Sequence, residues 1–184
     1  ARIVERVRRA IPGVAVHADV IAGFPTEDDA AFERTTAFVR AMDLAGLHVF
    51  RYSARPDTPA TRMTGHVDER TKKGRAGELL AVAADARAAY ARQSLGTVTR
   101  VLTETRLPDG RWVGHASDHV TTAIAPRPGD PADLENAIIT VRRTGIDGET
   151  ADRVTGEILA TDPAFQVPRR RSLPVLSPGG AHAR

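Results

Sequence analysis

The first half of the chain alternates short apolar runs with segments whose apolar residues recur at helical spacing. Residues 2–10 show that helical spacing. Residues 14–24 form a nearly continuous apolar run between turn-forming residues, which predicts a strand buried on both faces. Residues 47–53 alternate and are rich in β-branched and aromatic side chains, so they predict a second strand.

Two further helices are predicted around these strands. Thr26 and Asp29 have the spacing of an N-cap and a capping box, and Gly46 stands where a C′ glycine would end the helix. A long helix is predicted from Val67 to Ser94. The order helix, strand, helix, strand implies right-handed crossovers and a parallel α/β sheet or barrel.

From residue 97 the pattern changes to short strands separated by turns. Five such segments are predicted, at residues 98–104, 111–116, 119–125, 137–144 and 152–159. Their number and spacing favour a small antiparallel barrel of the OB-like class. We therefore divide the chain into an α/β part at 1–95, a β barrel at 96–162 and a basic tail at 163–184, expected to be disordered because its apolar residues lose their period.

Composition limits the chemistry that these residues supply. The chain contains no cysteine, so it provides no disulfide, thiolate nucleophile or cysteine-bound cluster. Residues 1–95 carry 15 basic and 12 acidic side chains, residues 96–162 carry 7 and 11, and the tail carries 4 and none. Because the middle segment is acidic, an RNA contact there depends on the local placement of arginines.

Neither a membrane span nor a secretory signal is predicted. Apolar runs fall short of the roughly 18 to 20 residues that a span requires, and the first twenty residues lack an apolar signal block. We therefore expect a cytoplasmic protein with no membrane partner. The chain starts at Ala1 within a helical pattern, which we interpret as a piece of a longer protein.

Two motifs resemble a known family. Residues 19–32, DVIAGFPTEDDAAF, and residues 47–60, LHVFRYSARPDTPA, resemble the last part of the radical S-adenosylmethionine barrel of the methylthiotransferases. The usual forms there are Asp-x-Ile-x-Gly-Phe-Pro-Gly-Glu and Tyr-Ser-x-Arg-x-Gly-Thr-Pro-Ala, so Thr26 and Asp57 each replace a glycine. The β barrel that follows is similar to the TRAM domain of those enzymes.

Within that family, the stretch LHVF most resembles the branch that modifies N6-threonylcarbamoyladenosine at position 37 of tRNA. The resemblance implies methylthiolation at C2 of the adenine, with S-adenosylmethionine and two [4Fe-4S] clusters as cofactors and the tRNA anticodon loop as partner. The cluster cysteines would lie in an upstream part of the same polypeptide. No catalytic residue and no metal ligand is therefore predicted within these 184 residues, and the piece alone is expected to be inactive.

Other functions stay open at this point. The branches acting on isopentenyladenosine in tRNA or on a ribosomal-protein aspartate share the expected fold. A non-catalytic RNA-binding module is an alternative of another class. The isolated chain is also expected to be poorly stable, since half a parallel barrel leaves an unpaired strand edge.

The predicted cofactor site lies at the carboxyl ends of the two strands, where parallel α/β folds bind ligands. By resemblance, the residues near S-adenosylmethionine are Asp19, Ile21, Gly23, Phe24, Pro25, Val49, Phe50, Tyr52 and Ser53. The missing Cβ of Gly23 is expected to let a flat ligand approach the backbone, although the spacing alone also fits a plain strand-to-helix turn. Asp19 either caps a loop or faces the barrel mouth, because a buried carboxylate needs a partner.

The predicted RNA contacts are arginines outside this corner. They are Arg55 in the loop after the second strand, and Arg100, Arg111, Arg142 and Arg143 in the β barrel. Arg55 also fits an ordinary surface position. Trp112 either stacks on a base or lies in the barrel core.

Two other charged segments have structural explanations. Lys72, Lys73 and Arg75 are expected on a solvated helix face, with tRNA contact as the alternative. The sequence HASDH at residues 115–119 contains metal-ligand residue types. A metal site needs three or four converging groups, and we expect a hairpin turn to point these side chains apart.

Overall fold

The computed structural model describes residues 1–130 and 133–166, which form an α/β unit followed by a β barrel. The α/β unit consists of α1 (Arg2–Ala10), β1 (His17–Ala22), α2 (Asp29–Ala41), β2 (Gly46–Arg51), a 3₁₀ turn (Pro59–Arg62) and α3 (Glu69–Gln93). The barrel consists of β3 (Val98–Arg106), β4 (Trp112–Ala116), β5 (Thr121–Ile124), β6 (Ala137–Ile146) and β7 (Arg153–Gln166). The predicted α/β part followed by a small barrel is confirmed.

The two strands of the α/β unit are parallel. Their register runs from His17 opposite Gly46 to Ala22 opposite Arg51. One face packs against α2 and α3 through Val39, Leu47 and Val82. The opposite face is open among the described residues, so the prediction of a strand buried on both faces is wrong here: one helical layer covers one face.

The ends of α2 differ from the sequence prediction. Asp28, not Thr26, caps the helix, since its carboxylate accepts a hydrogen bond of 2.6 Å from the backbone N–H of Ala31. The helix ends at Ala41, and Asp43 takes the left-handed conformation with φ of 49°. Gly46 therefore begins β2 and is not the C′ glycine.

The barrel is closed in the order β3-β4-β5-β7-β6. Four neighbouring pairs are antiparallel, and β5 pairs with β7 in parallel. Five strands in a closed ring cannot all alternate in direction, because five is odd, so the expected fully antiparallel pairing is corrected at that one pair. The core contains Val101, Trp112, Ala116, Ile124, Leu134, Ala137, Ile139, Val141 and Ile158.

The last strand extends beyond the predicted barrel boundary. β7 continues to Gln166 and pairs there with Ala137, whereas the sequence placed the start of a disordered tail at residue 163. Residues 167–184 of that predicted tail lie outside the described residues.

Helix α3 connects the two units by packing against both. Its amino-terminal half lies on the sheet through Leu79, and near its end Ala91 packs against Val120 and Val154 of the barrel. The guanidinium of Arg87 also donates a hydrogen bond of 3.1 Å to Asp152. No helix within residues 1–130 and 133–166 combines the length and the apolar character that crossing a membrane demands.

Candidate functional site

The carboxyl ends of β1 and β2 meet at one corner of the sheet. The backbone N–H of Tyr52 donates a hydrogen bond of 2.8 Å to the carbonyl of Ala22, which places Gly23 and Tyr52 beside each other. The rings of Phe24 and Tyr52 are in edge-to-face contact, with centroids 5.2 Å apart. The corner therefore brings together residues predicted from two separate motifs.

A carboxylate that was not predicted as a site residue holds this corner. Glu27 accepts a hydrogen bond of 3.0 Å from the backbone N–H of Gly23 and one of 2.7 Å from Arg75. Arg75 also donates to Asp29 at 2.7 Å. Glu27 thus connects the end of β1 to α3.

Burial alone would lower the pKa of the Arg75 guanidinium, but hydrogen bonds to Asp29 and Glu27 outweigh burial and raise it. Arg75 is only 6% exposed and Lys72 only 8%. The expectation that both lie on a solvated face is therefore wrong, whereas Lys73 is exposed. The carboxylate partners of Arg75, Glu27 and Asp29, are on a distant segment, which a helical pattern does not reveal.

Gly23 is needed for packing against Lys72. Gly23 has φ of +76°, and a Cβ built there would lie 2.3 Å from Cγ of Lys72. The Lys72 ammonium lies 5.4 Å from the centroid of the Tyr52 ring and bonds to Glu69 at 2.9 Å. The space at Gly23 thus holds a lysine stem, which corrects the expectation that it admits a flat ligand.

The open face of the sheet carries alternate residues of both strands. Ile21 lies opposite Phe50 and Asp19 lies opposite His48, and all four side chains are exposed. Asp19 is therefore not a buried carboxylate, and it caps no loop among the described residues. That it faces the barrel mouth stays a prediction. Ile21 and Phe50 form an adjacent apolar pair, 51% and 52% exposed, that is suited to cover a flat ring.

The other predicted cofactor residues lie elsewhere around the corner. Val49 belongs to the face that packs against the helices. Pro25 is buried, whereas Phe24 and Ser53 are exposed. Arg55 is exposed in the loop, and its carbonyl accepts a hydrogen bond from the Thr58 hydroxyl.

A buried hydroxyl at the corner has no protein partner among the described residues. It belongs to Tyr52, whose side chain is nearly covered. An unpaired buried hydroxyl costs free energy, so a ligand group that hydrogen-bonds to it would be stabilised. The corner thus offers this unpaired hydroxyl and the exposed apolar pair Ile21 and Phe50.

The four barrel arginines fall into two pairs. Arg111 bonds to Asp109 at 2.6 Å and Asp147 at 3.1 Å. Arg143 is 2% exposed and makes two 2.7 Å hydrogen bonds to Asp118. We therefore assign these two to the internal structure of the barrel.

Arg100 and Arg142 instead stand on the outer face. They lie on the adjacent strands β3 and β6, where Arg100 pairs with Thr140 and Arg142 with Val98. Trp112 is 5% exposed and belongs to the barrel core. Of the two interpretations of Trp112, the structure supports the core position.

The HASDH segment is divided among three different contacts. His115 bonds to Glu104 at 2.8 Å, Asp118 to Arg143, and the His119 ring lies edge-to-face against His17 at 5.8 Å. Burial lowers the pKa of His17, and the charges of His119, His48 and Arg87 lower it further. Among the residues that the structure describes, no group of three or more His, Cys, Asp or Glu side chains could hold a metal ion.

Comparison with known proteins shows that the chain is similar to part of enzymes that modify tRNA. It is 37% identical over 119 residues to a threonylcarbamoyladenosine tRNA methylthiotransferase of Thermotoga maritima, covering 65% of this chain and 27% of that protein. It is 39% identical over 139 residues to a tRNA-2-methylthio-N(6)-dimethylallyladenosine synthase of Frankia alni, covering 70% and 28%. The chain belongs to the tRNA methylthiotransferase family. No family model matches the sequence.

The match covers only part of these tRNA methylthiotransferases. The chain spans about a quarter of the length of the curated relatives it matches. A further relative, the threonylcarbamoyladenosine enzyme of Bacillus subtilis, is 39% identical over 99 residues, which are 54% of this chain and 22% of that protein. The substrates named for these relatives differ, so similarity supports tRNA methylthiolation without selecting one modified adenosine.

Both positions that depart from the methylthiotransferase motifs have a left-handed backbone. Thr26 has φ of 73° and Asp57 has φ of 65°, at the two places where the family motif usually has glycine. Thr26 is strained because its branched side chain is unfavourable in that region, whereas Asp tolerates it better. The departure from glycine at position 26 is therefore the more strained of the two.

Replacing Thr26 with Gly is expected to stabilise the chain by about 1 kcal/mol, because the left-handed strain disappears and only part of that gain is offset by glycine's unfolded-state entropy. Urea unfolding of Thr26→Gly measures this. The control is Thr64→Gly in the adjacent loop before α3, where φ is not positive, and which should be neutral or slightly destabilising. If the two substitutions change the free energy of unfolding equally, the backbone at Thr26 is not strained.

Proposed function

We propose that this chain is the C-terminal part of a radical S-adenosylmethionine tRNA methylthiotransferase of the cytoplasm. Its proposed substrate is N6-threonylcarbamoyladenosine at position 37, which receives a methylthio group at C2. The observation that carries the proposal is that Gly23 and Tyr52, from two motifs, lie at one strand corner within a chain similar to these enzymes.

The α/β unit is proposed to form one wall of the cofactor pocket. Ile21 and Phe50 cover the adenine, and the Tyr52 hydroxyl supplies a hydrogen bond. When bound, the cofactor with its cluster supplies the radical that activates C2. This chain has no cysteine to hold a cluster, so its own residues bind, orient and exclude water.

The β barrel is proposed to hold the tRNA through its outer face. Arg100 and Arg142 on adjacent strands point outward and suit contact with successive phosphates. Arg55, exposed near the corner, is a further proposed contact close to the modified nucleoside. The anticodon loop would then contact both units, whose mutual position α3 fixes.

A second candidate substrate is isopentenyladenosine at the same tRNA position. The relative from Frankia alni, a dimethylallyladenosine-modifying enzyme, matches 70% of this chain at 39% identity. The two candidates share the barrel and the strand corner, so the structure alone gives no ground for preferring the second over the first.

Nucleoside analysis of tRNA from a strain deleted for the gene tests the proposal. Loss of 2-methylthio-threonylcarbamoyladenosine is expected by mass spectrometry, and loss of the isopentenyladenosine product would instead support the second candidate. Unchanged levels of both nucleosides would refute methylthiolation of tRNA. A non-catalytic RNA-binding module would then be favoured if residues 96–184 bind tRNA as tightly as the whole chain.

Complementing that strain with Phe50→Glu is expected to lower the modified nucleoside about tenfold, because a carboxylate replaces apolar contact with the ligand. Leu80→Glu on the outer side of α3 is the matched control, since Leu80 is 54% exposed and Phe50 52%. The control should keep wild-type levels. An equal loss of the modified nucleoside in both variants, at equal protein abundance, would show that Phe50 does not contact the ligand.

A further inference from the structure

A groove lies on the outer face of the barrel, away from the strand corner. Its volume is about 720 Å³, within the range of ligand pockets. The groove is lined by Arg100, Leu102, Glu104, His115, Ala116, Ser117, His119 and Ile138. It lies beside the proposed phosphate contact Arg100 and includes histidines that the proposed function does not use.

The floor of this groove consists of one side chain from each of three neighbouring strands. His115 on β4 pairs with Leu102 on β3, which in turn pairs with Ile138 on β6. Neighbouring strands lie about 4.8 Å apart, so the three side chains form a continuous, mainly apolar strip with an imidazole at one end. Such a strip offers area for a flat ring.

The imidazole in this strip is held in place at both nitrogens. Nδ1 of His115 is 2.8 Å from a carboxylate oxygen of Glu104, and Nε2 is 3.2 Å from the hydroxyl of Thr121. These two contacts fix the ring plane while the side chain stays 45% exposed. A ring that is oriented before binding loses little entropy when a ligand stacks on it.

Among the described barrel side chains, the exposed rings are those of His115 and His119 in this groove. The indole of Trp112 is in the core, so it is not available to a base. His115 and His119, both exposed, line the groove. Histidine rings and arginine guanidinium planes are both used by proteins to stack unpaired RNA bases.

We propose that the groove binds one unstacked RNA base, which lies over Leu102 and Ile138 and stacks on His115 while its phosphate contacts Arg100. The site rests on the proposed tRNA function and adds base recognition to a surface otherwise assigned to phosphates. An unpaired nucleotide fits better than a duplex, because only a splayed base reaches the floor of a groove. The charge of Arg100 suits the nucleotide's phosphate.

Fluorescence anisotropy of the 184-residue chain tests the proposal with two labelled probes. One is an eight-nucleotide oligoadenylate, and the other is an eight-residue abasic ribose-phosphate chain with the same charge. Oligoadenylate is expected to bind about tenfold more tightly, in line with stacking of about one base. Equal affinity would overturn base binding yet leave the phosphate contacts of the proposed function. Binding of neither probe would overturn both.

Two substitutions separate the ring of His115 from its hydrogen bonds. His115→Gln keeps groups that bond to Glu104 and Thr121 but removes the ring, and it is expected to abolish the preference for oligoadenylate. His115→Phe keeps a ring without those bonds and is expected to retain most of the preference. The reverse ranking would overturn the stacking role. Circular dichroism of both variants checks that the barrel is intact.

Discussion

Substituting Met for Arg143 is expected to destabilise the barrel by about 3 kcal/mol. Arg143 is 2% exposed and makes two hydrogen bonds of 2.7 Å to Asp118, whose side chain is 19% exposed. Removing the guanidinium leaves a largely covered carboxylate without its counter-charge, and that penalty exceeds the gain from a more apolar side chain. Urea unfolding followed by tryptophan fluorescence measures the loss, since Trp112 lies in the same barrel.

The neighbouring residue is the control. Arg142 is exposed on the outer face, so Arg142→Met should change the stability by less than about 0.5 kcal/mol. The two variants should also differ in function, because only Arg142 is a proposed phosphate contact. If both substitutions destabilise the barrel equally, the buried ion pair is not what stabilises it.

The effect of Arg143→Met should depend on pH. Burial would raise the pKa of Asp118, but hydrogen bonding and charge from Arg143 lower it below its ordinary value of 3.8. The ionised pair therefore contributes its full stability above pH 3.8, and this contribution is lost as pH falls through the lowered pKa. The difference between wild type and variant should shrink below pH 3.8, and a difference that grows there would contradict the assignment.

Gly23→Ala is expected to destabilise the α/β unit by about 2 to 3 kcal/mol and to lower methylthiolation in the proposed enzyme. The new Cβ would lie 2.3 Å from Cγ of Lys72, and φ is +76°. The substitution therefore adds overpacking to left-handed strain. Unfolding by urea and nucleoside analysis of a complemented deletion strain measure the two effects.

Gly13 supplies a control with the same backbone conformation. Its φ is also +76°, but a Cβ there meets nothing within 4 Å, so Gly13→Ala reports the strain alone, about 1 kcal/mol. The additional destabilisation by Gly23→Ala, compared with Gly13→Ala, measures the clash with Lys72. Combining Gly23→Ala with Lys72→Ala should recover part of that excess, and strict additivity of the two substitutions would show that they do not touch.

The local pattern of apolar and polar residues predicted most of the architecture, because helices and strands each have a characteristic apolar spacing. The strand at residues 47–53 alternates, and the long helix has an apolar face, so β2 and α3 were expected close to their observed bounds. The five barrel strands were likewise expected, since each is short and bounded by turns. The parallel pairing of β5 with β7 was not expected, because strand direction in a closed ring depends on the number of strands.

The candidate site was predicted less completely, for reasons that involve distant residues. Sequence placed Gly23 and Tyr52 at one strand edge, and parallel register brought them together. It placed Lys72 and Arg75 in solvent because the residues that cover them lie on other segments: Gly23 and the Tyr52 ring beside Lys72, and Glu27 and Asp29 beside Arg75. His115 was considered for metal binding, but its place in a row with Leu102 depends on β3–β4 register, which spacing does not give.

The rigid connection through α3 has a consequence for how the family can vary. A 25-residue helix is about 37 Å long, and each added residue advances its end by about 1.5 Å and rotates it by about 100°. One insertion inside α3 would turn the barrel away from the strand corner, whereas an insertion in the loop before it would not. Length changes during evolution should therefore accumulate in loops and spare this helix.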